Sequence, residues 1–318
     1  MKEPHYVVVE PIFAEFIDTK RPPEVIAKGH IWTEGPVWLS DGLFFNDIPN
    51  KRMLRWTRSE GVTVALYNSE FANGNTLDAG NHMISCEHGG RRVVRRLDPF
   101  DLEASEVIAD SYAGKRLNSP NDVVVRSDGT IWFTDPPYGI NSDVEGYPAE
   151  REQDGCFVYC AEPNGALHAV VTDFEKPNGL AFSADESKLY VADSGAIRGA
   201  SFPGIDYDLP HHIRVFDVNG MTLSNDRVFA VIAPGVPDGL RVDHEGFVWT
   251  SALDGIHCLS PEGALMGKIH LPAQTANLCF GGSSGTEIFI TSSDKVYRVE
   301  STRRDAAHLL REAKETLQ

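Results

Sequence analysis

The sequence predicts an all-β fold: a six-bladed β-propeller built from four-stranded antiparallel blades, with a short C-terminal helix. Three observations predict it. One phrase recurs along the chain, several copies run on into a second hairpin, and the repeat has the length of a propeller blade. Six copies across 318 residues give about 53 residues per unit, close to the roughly 40–50 expected of a blade. The chain, 1–318, is therefore expected to form one propeller domain, with 1–30 as an N-terminal lead-in and 302–318 as a helical tail.

The elements follow in order. "TEGPVWLSDGLFFND" spans 33–47, "SPNDVVVRSDGTIWFTD" 119–135, "KPNGLAFSADESKLYVADSG" 176–195 and "VPDGLRVDHEGFVWTSA" 236–252. Fainter copies are "NGNTLDAGNHMISCE" at 73–87 and "ANLCFGGSSGTEIFITSS" at 276–293. Each holds a short apolar strand, a polar turn such as Asp-Gly or Glu-Gly, and a second strand rich in aromatic and β-branched residues, which is a hairpin signature. "CFVYCAEPNGALHAVV", "HIRVFDVNGMTLSNDRVF" and "IHCLSPEGALMGKIHL" continue with Asn-Gly or Glu-Gly between alternating runs, so one unit is about four strands long. Trp32, Trp38, Trp56, Trp132 and Trp249 fall in or beside strands and are expected to pack between blades. The tail "TRRDAAHLLREAKETLQ" is amphipathic and reads as a packing helix.

Composition narrows the function. Hydrophobic residues make up 42% and charged residues 24%, ordinary globular values. A net charge of -17 repels phosphate backbones and anionic bilayers, which argues against nucleic-acid and membrane partners. Arg91-Arg92 and Arg95-Arg96 flank Val93-Val94 and read as the solvated face of a strand rather than a basic patch. Five cysteines, an odd number with no C-x-x-C pair, speak against a disulfide framework or a structural zinc site. Cys156 and Cys160 would stand about 13 Å apart on one strand, too far to bridge. No secretory or membrane-spanning apolar run is present, so a cytoplasmic protein is expected. His211-His212 cannot easily aim both rings at one ion, and metalloprotease, nucleophile-elbow, P-loop and dinucleotide motifs are missing.

The recurring polar residue carries the chemistry. The first strand of each propeller blade lines the central channel, so the residue entering it stands at one rim. Aligning the copies places Glu34, Asn121, Asn178 and Asp238 in this slot. Asn and Asp before Gly are ordinary turn formers. Glu34 is not, yet it fills the same slot ahead of Gly35-Pro36. Two carboxylates crowded at a channel mouth repel unless a proton or a cation lies between them. Oxygen-only ligation points to a hard divalent ion, and carboxamides in loose geometry suit Ca²⁺ best, although Zn²⁺, Mn²⁺, Mg²⁺ or Fe²⁺ could use the same oxygens. Four protein oxygens leave room for water or substrate in a shell of about six to eight.

If the first strand runs away from that rim and the second returns, the loops joining second and third strands share its mouth. Two are long, 136–155 and 194–212, as functional loops tend to be. They offer Tyr138, Glu145 and Tyr147 on one side and Asp193, Ser194 and Arg198 on the other, while the second blade offers Glu87, His88 and Arg91.

The motifs "TEGPVW", "SPNDVVVRSDGTIWFTDPPYG", "KPNGLAFSADESKLYVADSG" and "PDGL" resemble the gluconolactonase branch of the senescence marker protein, gluconolactonase and luciferin-regenerating enzyme family, over about residues 30–300. The resemblance implies a six-bladed propeller with a divalent cation at the channel mouth and hydrolysis of sugar lactones. By motif, Glu34, Asn178 and Asp238 match the family's metal ligands, and Asn121 matches an asparagine that touches metal or substrate. Animal members carry a substrate-holding arginine where this chain has Ser119. The expected site therefore comprises Asp238 as catalytic base, Glu34, Asn121, Asn178 and Asp238 around the metal, and Asn121, Ser119, Tyr138, His88 and Asp193 around a small sugar lactone. Two rival readings keep the same site: hydrolysis of phosphotriesters or aryl esters, and a non-catalytic calcium- or ligand-binding propeller.

Overall fold

A computed structural model describes residues 4–98, 101–198 and 204–307. The N-terminal segment forms β1 (Tyr6–Val8), α1 (Phe13–Phe16) and β2 (Glu24–Lys28). Blade one follows as β3 (Thr33–Leu39), β4 (Gly42–Asp47), β5 (Arg52–Thr57) and β6 (Gly61–Tyr67). Blade two is β7 (Ala72–Leu77), β8 (Met83–Glu87), β9 (Arg92–Asp98) and β10 (Asp101–Ala109), followed by a small hairpin of β11 (Ser111–Tyr112) and β12 (Lys115–Arg116). Blade three comprises β13 (Val123–Val125), β14 (Ile131–Asp135), β15 (Cys156–Ala161) and β16 (Leu167–Phe174), with α2 (Tyr138–Asn141) in its long loop. Blade four is β17 (Pro177–Phe182), β18 (Lys188–Asp193), β19 (His212–Asn219) and β20 (Thr222–Val231). Blade five is β21 (Leu240–Val242), β22 (Val248–Ala252), β23 (Gly255–Leu259) and β24 (Leu265–His270), and blade six has β25 (Thr275–Gly281), β26 (Glu287–Ser292) and β27 (Lys295–Glu300).

The strand pairings make six antiparallel blades in a ring, as the repeat predicted. Both faint copies are full blades. The segment expected as a lead-in does more than lead in. β2 pairs with β27 and completes blade six, with Val25 opposite Tyr297, and β1 adds a fifth strand to blade five beside β24. The ring thus closes on strands from opposite ends of the chain. Most of the expected tail helix, 308–318, lies outside the described residues, as do 199–203 of the second long loop.

Each seam between neighbouring blades holds its own apolar cluster, because every sheet must bury both faces. Trp132, Val158 and Phe174 meet Leu180, Leu189 and Phe216 between blades three and four. Trp249 and Ile256 meet Leu278 and Ile288 between five and six, with Phe13, Phe16 and Ile17 added from the N-terminus. Trp56 is buried between six and one, where Trp38 stacks on Phe289 at 5.1 Å. Trp32 departs from the expected packing role and lines a pocket at the channel mouth. The arginine pairs follow expectation in part: Arg92 and Arg95 keep the half-exposed face of β9. Arg91 and Arg96 are buried, because Arg96 donates to Glu87 and the Leu102 carbonyl while Arg91 donates to the Leu117 carbonyl.

Candidate functional site

The inner strands β3, β7, β13, β17, β21 and β25 neighbour one another around the channel. Each begins at the same end, so their entry residues form a ring. A pocket at this end is lined by Trp32, Glu34, Asn73, Asn121, Tyr138, Glu145, Asn178, Ile197, Asp238 and Gln274. Glu34, Asn121, Asn178 and Asp238 therefore do come together. Asn73 joins them from blade two, at the start of the faint copy at 73–87, whose entry residue was not among the expected ligands. Only blade six has no polar side chain in the slot, which Ala276 fills.

Backbone contacts between blades hold the entry residues in place. The Gly179 amide donates to the Asp238 carbonyl at 3.0 Å, the Gly74 amide to the Asn121 carbonyl at 2.8 Å, and the Gly239 amide to the Ala276 carbonyl at 2.8 Å. A Cβ on Gly179 would lie 2.3 Å from that Asp238 oxygen, so the blades can approach this closely only over glycine.

Side chains then set which atoms face the pocket. His88 is fully buried between its partners. Its Nδ1 donates to the Glu145 carbonyl at 3.1 Å, which leaves Nε2 to accept from the amides of Asn73 at 3.1 Å and Asn121 at 3.4 Å. Burial pushes its pKa down to about 4, so the ring is neutral at pH 7 and keeps that accepting lone pair. The Asn178 amide donates to Ser194 Oγ at 3.1 Å, and Ser194 in turn donates to the Pro237 carbonyl at 2.6 Å. With nitrogen drawn outward, each carboxamide has its oxygen left for the pocket.

The acids are held with too little positive charge. Glu34 Oε2 accepts from the Gly35 amide at 2.6 Å and from Asn277 at 3.2 Å. Burial first, and then the charge of neighbouring acids, pushes the pKa of both Glu34 and Asp238 upward. Burial alone raises Glu145 to about 7. Asp122 faces Arg241 at 3.5 Å, a guanidinium whose charge also partly offsets that of Glu34. Among the described residues no three His, Cys, Asp or Glu side chains form a ready-made metal cluster. The candidate donors are instead two carboxylates and several amide oxygens, a hard set whose excess negative charge fits a divalent cation.

Three expected substrate contacts have other duties. Ser119 is buried, donates to the Pro136 carbonyl at 2.6 Å and accepts from the Gly139 amide at 2.9 Å, so it pins the start of α2. Asp193 is buried and accepts from the backbone amides of Glu175, Lys176 and Gly195, fixing the approach to Asn178. His88 stands behind the asparagines, outside the lining. Of the five, Asn121 and Tyr138 reach the pocket. Tyr138 opens α2, and its hydroxyl is sealed from solvent beside Ser194, with no hydrogen bond of good geometry among the described residues.

Fold and pocket define a class: β-propellers that carry a small, oxygen-lined, acid-rich cup at the head of the channel. The chain belongs to the SMP-30/gluconolactonase/LRE-like family, whose profile matches residues 32–294. It is 34% identical over 307 residues to a gluconolactonase of Zymomonas mobilis, covering 90% of this chain and 83% of that one. A solved gluconolactonase from Xanthomonas campestris superposes with a TM-score of 0.84 at 32% identity, over 94% of this chain and 95% of that one. Regucalcin of Oryctolagus cuniculus is 27% identical over 270 residues, 81% of this chain and 82% of its own length.

Proposed function

We propose that the protein is a metal-dependent hydrolase that opens sugar lactones of the aldonolactone class. The observation that carries this reading is the meeting of Glu34, Asn121, Asn178 and Asp238, from four blades, around one pocket. These four residues would hold a divalent cation, Ca²⁺ before Zn²⁺, Mn²⁺, Mg²⁺ or Fe²⁺, because two amide oxygens join the two acids in an oxygen-only set. When bound, such an ion supplies Lewis-acid polarisation of the lactone carbonyl. The kinship with gluconolactonases supports the substrate class.

The chain's own groups supply the rest. Asp238, whose carboxylate shares the pocket with the substrate, takes a proton from the attacking water. Asn73 and Asn121, oriented by His88, offer oxygens to the cation or to sugar hydroxyls. Glu145 lines the same pocket from the long loop of blade three. Five buried, unpaired thiols suit a reducing cytoplasm.

The test is acid release from aldonolactones in a pH-stat, on native, chelated and singly remetallated protein. Chelation is expected to reduce turnover at least about 10²-fold, and one divalent ion to restore it. Acid release from no lactone under any metal would leave a binding propeller as the reading. Turnover confined to phosphotriesters or aryl esters would change the substrate class and keep the site.

A further inference from the structure

We propose that Tyr138 is a catalytic hydrogen-bond donor to the ring oxygen of the lactone, the atom that departs when the ring opens. The inference rests on the hydrolase reading above and assigns the one role that the metal-facing residues leave unfilled.

The pocket is rich in acceptors and poor in donors. Glu34, Asp238 and Glu145 are carboxyl groups, and the amide nitrogens of Asn73, Asn121 and Asn178 donate outward to His88 and Ser194. Gln274 and Trp32, whose amide and indole N–H groups are the other donors in the lining, are half-buried. Tyr138 differs from all of them. The residue lines the pocket, and its hydroxyl is closed off from solvent with no hydrogen bond of good geometry among the described residues, Ser194 being its polar neighbour. A buried O–H without an acceptor is unfavourable unless something else arrives to accept it.

The placement of the ring is rigid, as a catalytic donor requires. Ser119 grips the two ends of the turn into α2, through the Pro136 carbonyl and the Gly139 amide. Gly139 lies against His88 so closely that a Cβ there would stand 2.5 Å from the His88 Cβ. Tyr138 is thereby fixed between the blade-two histidine and the blade-three strand entry. Burial, followed by the nearby charge of Asp238, also keeps the phenol protonated, so it acts as donor and neither as base nor as nucleophile.

The step balances. Water oxygen bonds to the acyl carbon while Asp238 takes one water proton. The ring C–O bond then breaks with its electron pair on the ring oxygen, which Tyr138 stabilises by its hydrogen bond. That oxygen ends as an alcohol on receiving the proton held by Asp238, and Tyr138 is unchanged.

The test uses Tyr138→Phe, with kcat and KM measured on an aldono-δ-lactone, whose leaving oxygen is an alkoxide, and on dihydrocoumarin, whose leaving oxygen is a phenolate. The expected loss in kcat is on the order of 10²-fold for the aldonolactone and under about 5-fold for dihydrocoumarin, with KM changing little. The melting temperature should stay nearly level, since the hydroxyl makes no hydrogen bond of good geometry among the described residues. Unchanged turnover, or an equal loss on both lactones, overturns the proposal, and so does a marked fall in melting temperature. Wild-type protein that opens neither lactone refutes the hydrolase reading together with this one, whereas an active wild type with an equally active variant refutes this one alone.

Discussion

The carboxamide of Asn121 can present oxygen or nitrogen to the pocket, and His88 decides which. Its Nε2 lone pair, left free because Nδ1 donates to Glu145, draws the amides of Asn73 and Asn121 backward. Replacing His88 with Leu keeps an apolar side chain in the buried space and removes the acceptor. Affinity for Ca²⁺ is expected to fall about 10–100-fold, as measured by calorimetric titration of the apo protein. An unchanged affinity would mean that the asparagines orient themselves. Glu34, Asn121, Asn178 and Asp238 were legible in the sequence because the same strand entry recurs around each of them. Asn73 sits in a faint copy, where "FANG" lacks the proline that precedes the slot in "SPND", "KPNG" and "VPDG". Ser119 and Asp193 show the opposite failure. Sequence placed them beside the site, but only the fold shows their oxygens consumed by backbone groups.

An inner strand must meet its neighbour at a fixed depth, or the entry residues miss one another. Gly179 sets that depth between blades four and five, with its amide on the Asp238 carbonyl. Alanine there would drive its Cβ to 2.3 Å from the same oxygen and force the two strands apart. Gly179→Ala is expected to destabilise the protein by about 1–3 kcal/mol. It should also weaken metal binding, because the displaced residue is Asp238 itself. Thermal unfolding and metal titration check the two effects separately, and a variant that loses stability but not affinity would show that Asp238 tolerates the shift. Hairpins were the easiest elements to read, since each turn and its two strands are contiguous. β1 and β2 were not, because their partners β24 and β27 lie far along the chain and no local turn announces the pairing.

Closing a ring of sheets is a demand on the whole molecule, because an open propeller exposes two strand edges and an unfilled seam. β2 meets that demand. It covers the edge of β27, and Ala27 enters the cluster of Phe45, Trp56 and Phe289 that joins blades six and one. Ion pairs cross the same closure, from Arg298 to Glu24 at 2.8 Å and from Arg21 to Glu300 at 2.7 Å. Phe13, Phe16 and Ile17 fill the outer part of the next seam beside Trp249. The entry residues of blades one, four and five keep their relative positions only while this ring stays shut. Deleting residues 1–28 is therefore expected to abolish cooperative unfolding or leave the protein insoluble, whereas deleting 1–9, which removes only β1 and its approach, should lower the melting temperature and preserve metal binding. Calorimetry and metal titration on both truncations check this. A deletion of 1–28 that still unfolded cooperatively and bound its ion would show that five complete blades and the open sixth suffice to hold the cup.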